Sequence, residues 1–138
     1  YTRMIEGVLS KDVDVWWPYV EEYLISALNY GLGEYTIEDI KKSCIMKDMQ
    51  LWVNLSNKVE GAFVTKINTY PQKNILVVLL LGGNNFSDWK DEADTLLSAF
   101  GKENNCEYVQ LAGRKGWSKV LQNLNYKETI KFYTKELS

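Results

Sequence analysis

Histidine is absent from this chain of 138 residues. Any proton-moving chemistry therefore falls to carboxylates, tyrosines, lysines or a water held by backbone groups. Nucleophile pairs of the Ser-His or Cys-His kind cannot exist. A histidine zinc site cannot exist either, and two cysteines, Cys44 and Cys106, do not make a structural one, so no metal is expected. The acids that fall on strand-like sequence are Glu60 and Glu107, and the tyrosines available as proton donors include Tyr126, Tyr108 and Tyr133. Spacing alone selects none of them.

Two segments suit an anion. In the first, an apolar run ends in Leu80-Leu81-Gly82-Gly83-Asn84-Asn85, with Ser87 and Asp88 opening a helical pattern. Glycines let the backbone approach a phosphate, and orphan amides at a helix N-terminus attract one. Asp88 and Asp91 work against that attraction. In the second, Gly113-Arg114-Lys115-Gly116-Trp117 holds two cations between two glycines, a setting for a phosphate or a partner carboxylate. A third candidate region is Trp16-Trp17. Neighbours on a helix lie about 100° apart, so the two rings cannot face one core. One is expected to line a cleft or meet a substrate or partner, together with Tyr35 in the loop Gly31-Leu32-Gly33-Glu34-Tyr35.

The elements that must carry these residues follow from hydrophobic period. From Asp14, residues Trp16, Val20, Tyr23, Leu24, Ala27 and Leu28 recur at helical steps. Asp14 is the expected cap, which places Pro18 in the first turn, and Gly31 and Gly33 end the helix. Thr36-Ile37-Glu38-Asp39 begins a second helix with Thr36 as cap. Residues 50–55 and 59–68 alternate and read as a hairpin. Residues 74–81 are apolar on both faces, the mark of a strand in the centre of a sheet. A helix over about 87–105 with Ser87 as cap, a buried strand over 106–112, a short helix to 123 and a closing strand over 126–137 complete the pattern. A short edge strand near residues 3–8 is a further expectation. The fold class is thus α/β (α+β): residues 1–138 as one domain, in the order α-α-β-β-β-α-β-α-β, with a mixed sheet and helices on both faces.

Composition excludes several roles. A net charge of −2 gives no footing for a nucleic-acid partner. No apolar run approaches the roughly 18 residues that span a bilayer, so no membrane partner is expected. The first residues lack the apolar core of a signal peptide, which predicts a protein that is not secreted and free, buried thiols. Aromatic content of 13% predicts an aromatic-heavy core or rings that cover a partner.

The element order over residues 12–137, and the sequence over residues 74–137, resemble the GNAT family, the GCN5-related N-acetyltransferases. The resemblance implies an acyl-CoA, such as acetyl-CoA, bound beside Leu80, Leu81, Gly82, Gly83, Asn84, Asn85 and Ser87. Arg114 and Lys115 would hold its 3′-phosphate, and an amine would be the acceptor. The chain departs from the family in two places. The family's Arg/Gln-x-x-Gly-x-Gly/Ala loop is replaced by the sequence around Gly82-Gly83. Its Asn-x-x-Ala-x-x-Leu-Tyr-x-x-x-Gly-Phe motif falls with Asn on Arg114, Ala on Trp117, Tyr on Leu121 and Gly-Phe on Asn125-Tyr126. The usual tyrosine acid is therefore missing, leaving Tyr126 and Glu60 as weak catalytic candidates. The segment from Gly113 to Leu121 resembles tailed-bacteriophage members of the family, which implies host cytoplasm or virion as location.

Two functions follow from the resemblance. One is an N-acyltransferase acting by direct attack. The other is a catalytically silent GNAT scaffold whose partners are other virion or phage proteins. An enzyme predicts an open notch beside the central strand, and a scaffold predicts a notch filled by side chains.

Overall fold

The computed structural model describes residues 4–114 and 116–138. Strand β1 (Met4–Val8) leads through a 3-10 turn, Ser10–Asp12, into helix α1 (Val13–Leu28). Helix α2 (Ile37–Ile45) follows, then β2 (Gln50–Leu55), β3 (Val59–Thr69) and β4 (Asn74–Gly83). Helix α3 (Phe86–Glu103), β5 (Cys106–Leu111) and a short α4 (Ser118–Asn123) close the described structure. The sheet runs β1-β2-β3-β4-β5, antiparallel except for the parallel β4–β5 pair. That pair is joined through α3, the crossover a parallel connection requires.

Each face of the sheet has its own core. On one, α1 presents Val13, Trp17, Val20 and Leu24 at steps of three and four, and α2 adds Ile40 and Cys44 over Leu51, Val53, Val64 and Leu80. On the other, α3 lays Trp89, Ala93 and Leu97 on Trp52, Phe63, Leu76 and Val78. Successive strand residues point to opposite faces, so Leu51 and Trp52, neighbours in sequence, serve different cores. β4 feeds both, which is why its sequence is apolar throughout.

Local chemistry explains most boundaries. Thr36 and Asp39 form a reciprocal capping box: the Asp39 amide donates to Thr36 Oγ1 at 3.1 Å and the Thr36 amide to Asp39 Oδ2 at 2.8 Å. Three boundaries differ from expectation. α1 starts at Val13 after Asp12, because the 3-10 turn feeds straight into it. Pro18 therefore lies in the second turn and supplies no N–H to the Asp14 carbonyl. α3 is capped by Asn85 in the left-handed region (φ 54°), not by Ser87. Residues 126–137 form no strand. Their alternation is strand-like, but a strand forms only where an edge offers partners, and these residues lie on none. β1 is the edge strand expected near the start, Arg3 lying outside the described residues. Its Ile5 amide donates to Glu92 Oε2 of α3 at 2.9 Å, so the carboxylate occupies part of an open edge.

Both cysteines are free. Burial pushes the Cys44 thiol up to about 12, which predicts an unreactive sulfur. Cys106 is half-buried. Titration with a thiol reagent should modify Cys106 in the folded protein and reach Cys44 only after unfolding.

Asn54 is fully buried on β2, and among the described residues neither of its side-chain polar atoms has a partner. It lies opposite Ile5 and Gly61. An unsatisfied buried amide costs about 1–3 kcal/mol. Asn54→Val should therefore raise the unfolding free energy by about 1–2 kcal/mol, read as a higher urea midpoint with an unchanged slope. A lower midpoint would mean that the amide is satisfied in solution.

Candidate functional site

β4 and β5 run side by side only as far as Val78 and Leu111. At the same level the β3–β4 register slips: Val64 faces Leu80 while Thr65 faces Val78, which leaves Leu79 as an extra residue. A bulge of this kind bends its strand and ends pairing on the free side. Beyond it, residues 79–83 of β4 stay paired with β3 and part from β5. A notch opens in the sheet there. The 18-residue α3 begins beside it, just after the glycines that end β4.

Arg114 bridges the notch. It leaves the loop after β5, and its Nη2 donates to the Leu81 carbonyl at 3.0 Å. The guanidinium lies between two rings, 4.2 Å from the centroid of Tyr30 just past α1 and 4.6 Å from that of Trp117. This geometry fixes the cation at the mouth. Trp117 is itself held. It stacks on Phe86 at 5.9 Å, Phe86 meets Trp89 edge-on at 4.9 Å, and Trp89 stacks on Phe63 at 6.2 Å and Phe63 on Trp52 at 5.6 Å. A line of aromatic rings thus runs from the middle of the sheet to the arginine. Three of the five tryptophans and two of the four phenylalanines go into this line.

The two glycines at the end of β4 serve packing. A Cβ on Gly82 would overlap the Tyr23 carbonyl oxygen of α1. One on Gly83 (φ 150°) would meet Gly61 Cα at 2.6 Å and Glu60 O at 2.7 Å. Leu80 lies in the core beneath α1, and the Leu81 side chain packs toward α3. The Asn84 amide donates to Glu60 O at 2.8 Å, and its carbonyl accepts from Trp89 Nε1 at 2.9 Å. Asn85 and Ser87 are exposed at the start of α3. Lys115 lies outside the described residues.

Glu60 is on β3, one strand beyond β4 from the notch. Its neighbours are Tyr23, whose hydroxyl donates to Val59 O at 3.1 Å, and Asn84, 3.5 Å from that hydroxyl. Burial and then the Glu60 and Glu22 charges hold the Tyr23 phenol above its ordinary range. The Tyr126 hydroxyl donates to Asp94 Oδ1 of α3 at 2.9 Å. Burial first, and then the Asp94 carboxylate, push this phenol up strongly. The structure brings neither Glu60 nor Tyr126 to Leu81. Asn125, where the family motif has glycine, takes φ 67°, a conformation asparagine tolerates better than most residues.

The tryptophan pair divides as the helical angle requires. Trp17 is 5% exposed and in the core, with Lys41 Nζ 5.9 Å from its ring centroid. Trp16 lines an apolar cleft of about 390 Å³ with Val15, Tyr19, Leu55, Asn57, Lys58 and Val59, between α1 and the β2–β3 hairpin. This cleft lies at the opposite end of α1 from Tyr30. Tyr35 is exposed in the α1–α2 loop. Neither joins the notch. Sequence reading did not find the role of Tyr30; its exposed aromatic ring at a helix end gave no sign that a cation sits on it. Among the described residues there is no group of three His, Cys, Asp or Glu side chains able to hold a metal, and no helix is long and apolar enough to cross a membrane.

No known family profile matches the chain, and no curated protein does. Solved structures match over nearly its whole length. The predicted acetyltransferase from Clostridium acetobutylicum, solved with acetyl-CoA, superposes with a TM-score of 0.73 at 11% identity, over 98% of this chain and 96% of that one. Glucosamine-6-phosphate N-acetyltransferase from Arabidopsis thaliana gives 0.70 at 12% identity, over 100% of both chains. An aminoglycoside acetyltransferase from an uncultured soil metagenomic sample, solved with sisomicin, gives 0.63 at 17%, over 99% and 97%. At these identities the likeness is one of fold: the chain has the GNAT fold.

Proposed function

We propose that the protein is a GNAT-superfamily N-acyltransferase that takes an acyl group from acyl-CoA and passes it to an amine by direct attack. One observation carries this reading: β4 and β5 part at a bulge, next to the N-terminus of a long helix. Past Val78 the backbone polar groups of β4 have no β5 partner, which would suit pairing with an extended chain such as the arm of an acyl-CoA. Arg114 stands at the mouth of the notch with a five-donor fork, one arm of which binds Leu81 O. The remaining arms suit a phosphate oxygen. Asn85 and Ser87 at the start of α3, with Lys115, would extend that anion subsite.

In the reaction the amine nitrogen attacks the thioester carbonyl carbon, the new C–N bond forms, and the C–S bond breaks to release the thiolate. The nitrogen then loses its proton. The chain's part is to position both reactants in a slot that limits water. With Glu60 on β3 and the Tyr126 hydroxyl held on Asp94, the proton passes to solvent, and the rate should rise with pH as the amine deprotonates. The neighbours named for aminoglycosides and for glucosamine-6-phosphate support an amine on a sugar as the first acceptor class to test.

A second reading, a catalytically silent scaffold, is favoured by the same arginine. Arg114 already occupies the Leu81 carbonyl, and Leu121 stands where the family has its tyrosine acid. The likeness of residues 113–121 to phage members would then give it virion or other phage proteins as partners. Calorimetric titration with acetyl-CoA separates the two. Micromolar binding, followed by thiol release with an aminoglycoside or amino-sugar acceptor, is the expected result. No heat at millimolar acetyl-CoA would leave the scaffold.

A further inference from the structure

The turn after β1 and the turn after α2 come together at a cleft of about 540 Å³. It lies at β1 and β2, across the sheet from the notch between β4 and β5. Part of its lining is apolar. Cys44 and Met49 are buried members of the core beneath α1, and Val8 packs against that core. Two cations line it as well. Lys11 comes from the 3-10 turn and Lys47 from the residues after α2, and Ser10 adds a hydroxyl. Both lysines are exposed, and among the described residues neither forms an ion pair. Asp12 and Asp48 are their neighbours in sequence, yet among the described residues no carboxylate lines the cleft.

Lys47 stands where the backbone would favour another residue. Helix α2 ends in a Schellman turn: the Lys47 amide donates to Cys44 O at 3.3 Å, and the Asp48 amide donates to Ser43 O at 2.9 Å. Lys47 takes φ 69°, the left-handed conformation that glycine adopts without steric cost. What a lysine contributes there is its charge, which the C-terminus of α2 favours even without a partner.

An apolar lining with two cations and no acid is the complement of an anion carried on an apolar body. Clefts of this size hold small molecules. A phosphate monoester carries close to two negative charges near neutral pH, so it balances both ammonium groups, whereas a carboxylate balances one. We propose that this cleft binds a small phosphate monoester with an apolar body. The phosphate would lie on Lys11, Lys47 and Ser10, and the body over Val8, Cys44 and Met49.

Calorimetric titration of the full chain with hexyl phosphate tests this. Saturable binding is expected. Inorganic phosphate and hexanol, each half of the ligand, should bind at least about 10-fold more weakly. Lys11→Ala and Lys47→Ala should each weaken binding about 3- to 10-fold, and Lys11→Glu combined with Lys47→Glu should abolish it. Lys47→Gly should weaken binding as alanine does while raising the urea midpoint, because glycine relieves the left-handed turn. Loss of binding in a more stable protein cannot come from unfolding. Arg114→Ala should leave hexyl phosphate binding unchanged, which separates this cleft from the notch and its outcome from that of the proposed activity.

No saturable heat overturns the proposal. So does binding that survives the double glutamate variant, inorganic phosphate that matches hexyl phosphate, or loss of binding in Arg114→Ala. Flotation with vesicles of phosphatidic acid and phosphatidylcholine separates a dissolved ligand from a lipid headgroup, and no flotation is expected. Vesicle binding without hexyl phosphate binding would make the cleft a membrane contact and overturn the small-molecule site.

Discussion

Arg114→Ala should weaken acetyl-CoA binding by about 10- to 100-fold, the loss of one or two charge-assisted hydrogen bonds. The guanidinium is fixed before any ligand arrives. Tyr30 and Trp117 hold its faces and Leu81 O holds one arm, so little side-chain entropy remains to be lost on binding. Arg114→Lys should fall between parent and alanine, because an ammonium keeps the charge but neither stacks between two rings nor presents a fork. Salt should weaken the parent's binding more than the alanine variant's. The half-buried arginine also links β5's loop to β4, so the alanine variant should lose about 1 kcal/mol of stability. Binding is therefore to be measured well below its unfolding midpoint. Unchanged affinity would remove Arg114 from the ligand site. Tighter binding would make the arginine only a plug that the ligand has to displace.

Gly82→Val should cost about 3–5 kcal/mol of folding stability, most of what a small domain has in reserve. The obstruction is the Tyr23 carbonyl of α1, which is backbone and cannot rotate away. To admit even a methyl group α1 must lift from β4, loosening Val20 and Leu24 from the core they share with Leu80. Gly82→Ala should act in the same direction. Gly7→Ala serves as control. Its Cβ would meet only the Trp52 ring at 3.6 Å, an ordinary contact, so the change should stay within about 1 kcal/mol. Urea unfolding followed by tryptophan fluorescence reads all three. A Gly82→Ala protein as stable as the parent would show that α1 does not press on β4 as closely as described. The same packing makes Gly83 a poor probe of ligand binding, since a side chain there strikes Gly61 and Glu60 before it reaches the notch.

Elements were legible in the sequence wherever a local pattern matched its surroundings. Thr36 with Asp39 announced the capping box, and the all-apolar stretch of β4 announced a strand covered on both faces. The angle between Trp16 and Trp17 separated a core ring from a cleft ring before either was placed. Patterns failed where local preference and available partners disagreed. Residues 126–137 alternate as a strand should, yet they pair with no strand among the described residues. Ser87 is a good cap by type, yet the turn after Gly83 placed Asn85 in the left-handed region first, and the helix began there.

The sequence by itself determined the element order from α1 to α4, the mixed sheet with helices on both faces and the absence of histidine chemistry. These depend on residue type and on periods of two and 3.6. Only the tertiary structure decided what stands at the notch. Arg114, Tyr30, Leu81 and Trp117 come from four separate stretches of chain, and the bulge at Leu79 that opens the space is a register slip between two strands. No period or spacing encodes a meeting of residues so far apart in sequence. It follows from where α1 settles on Gly82 and how the aromatic line seats Trp117, which is decided by packing.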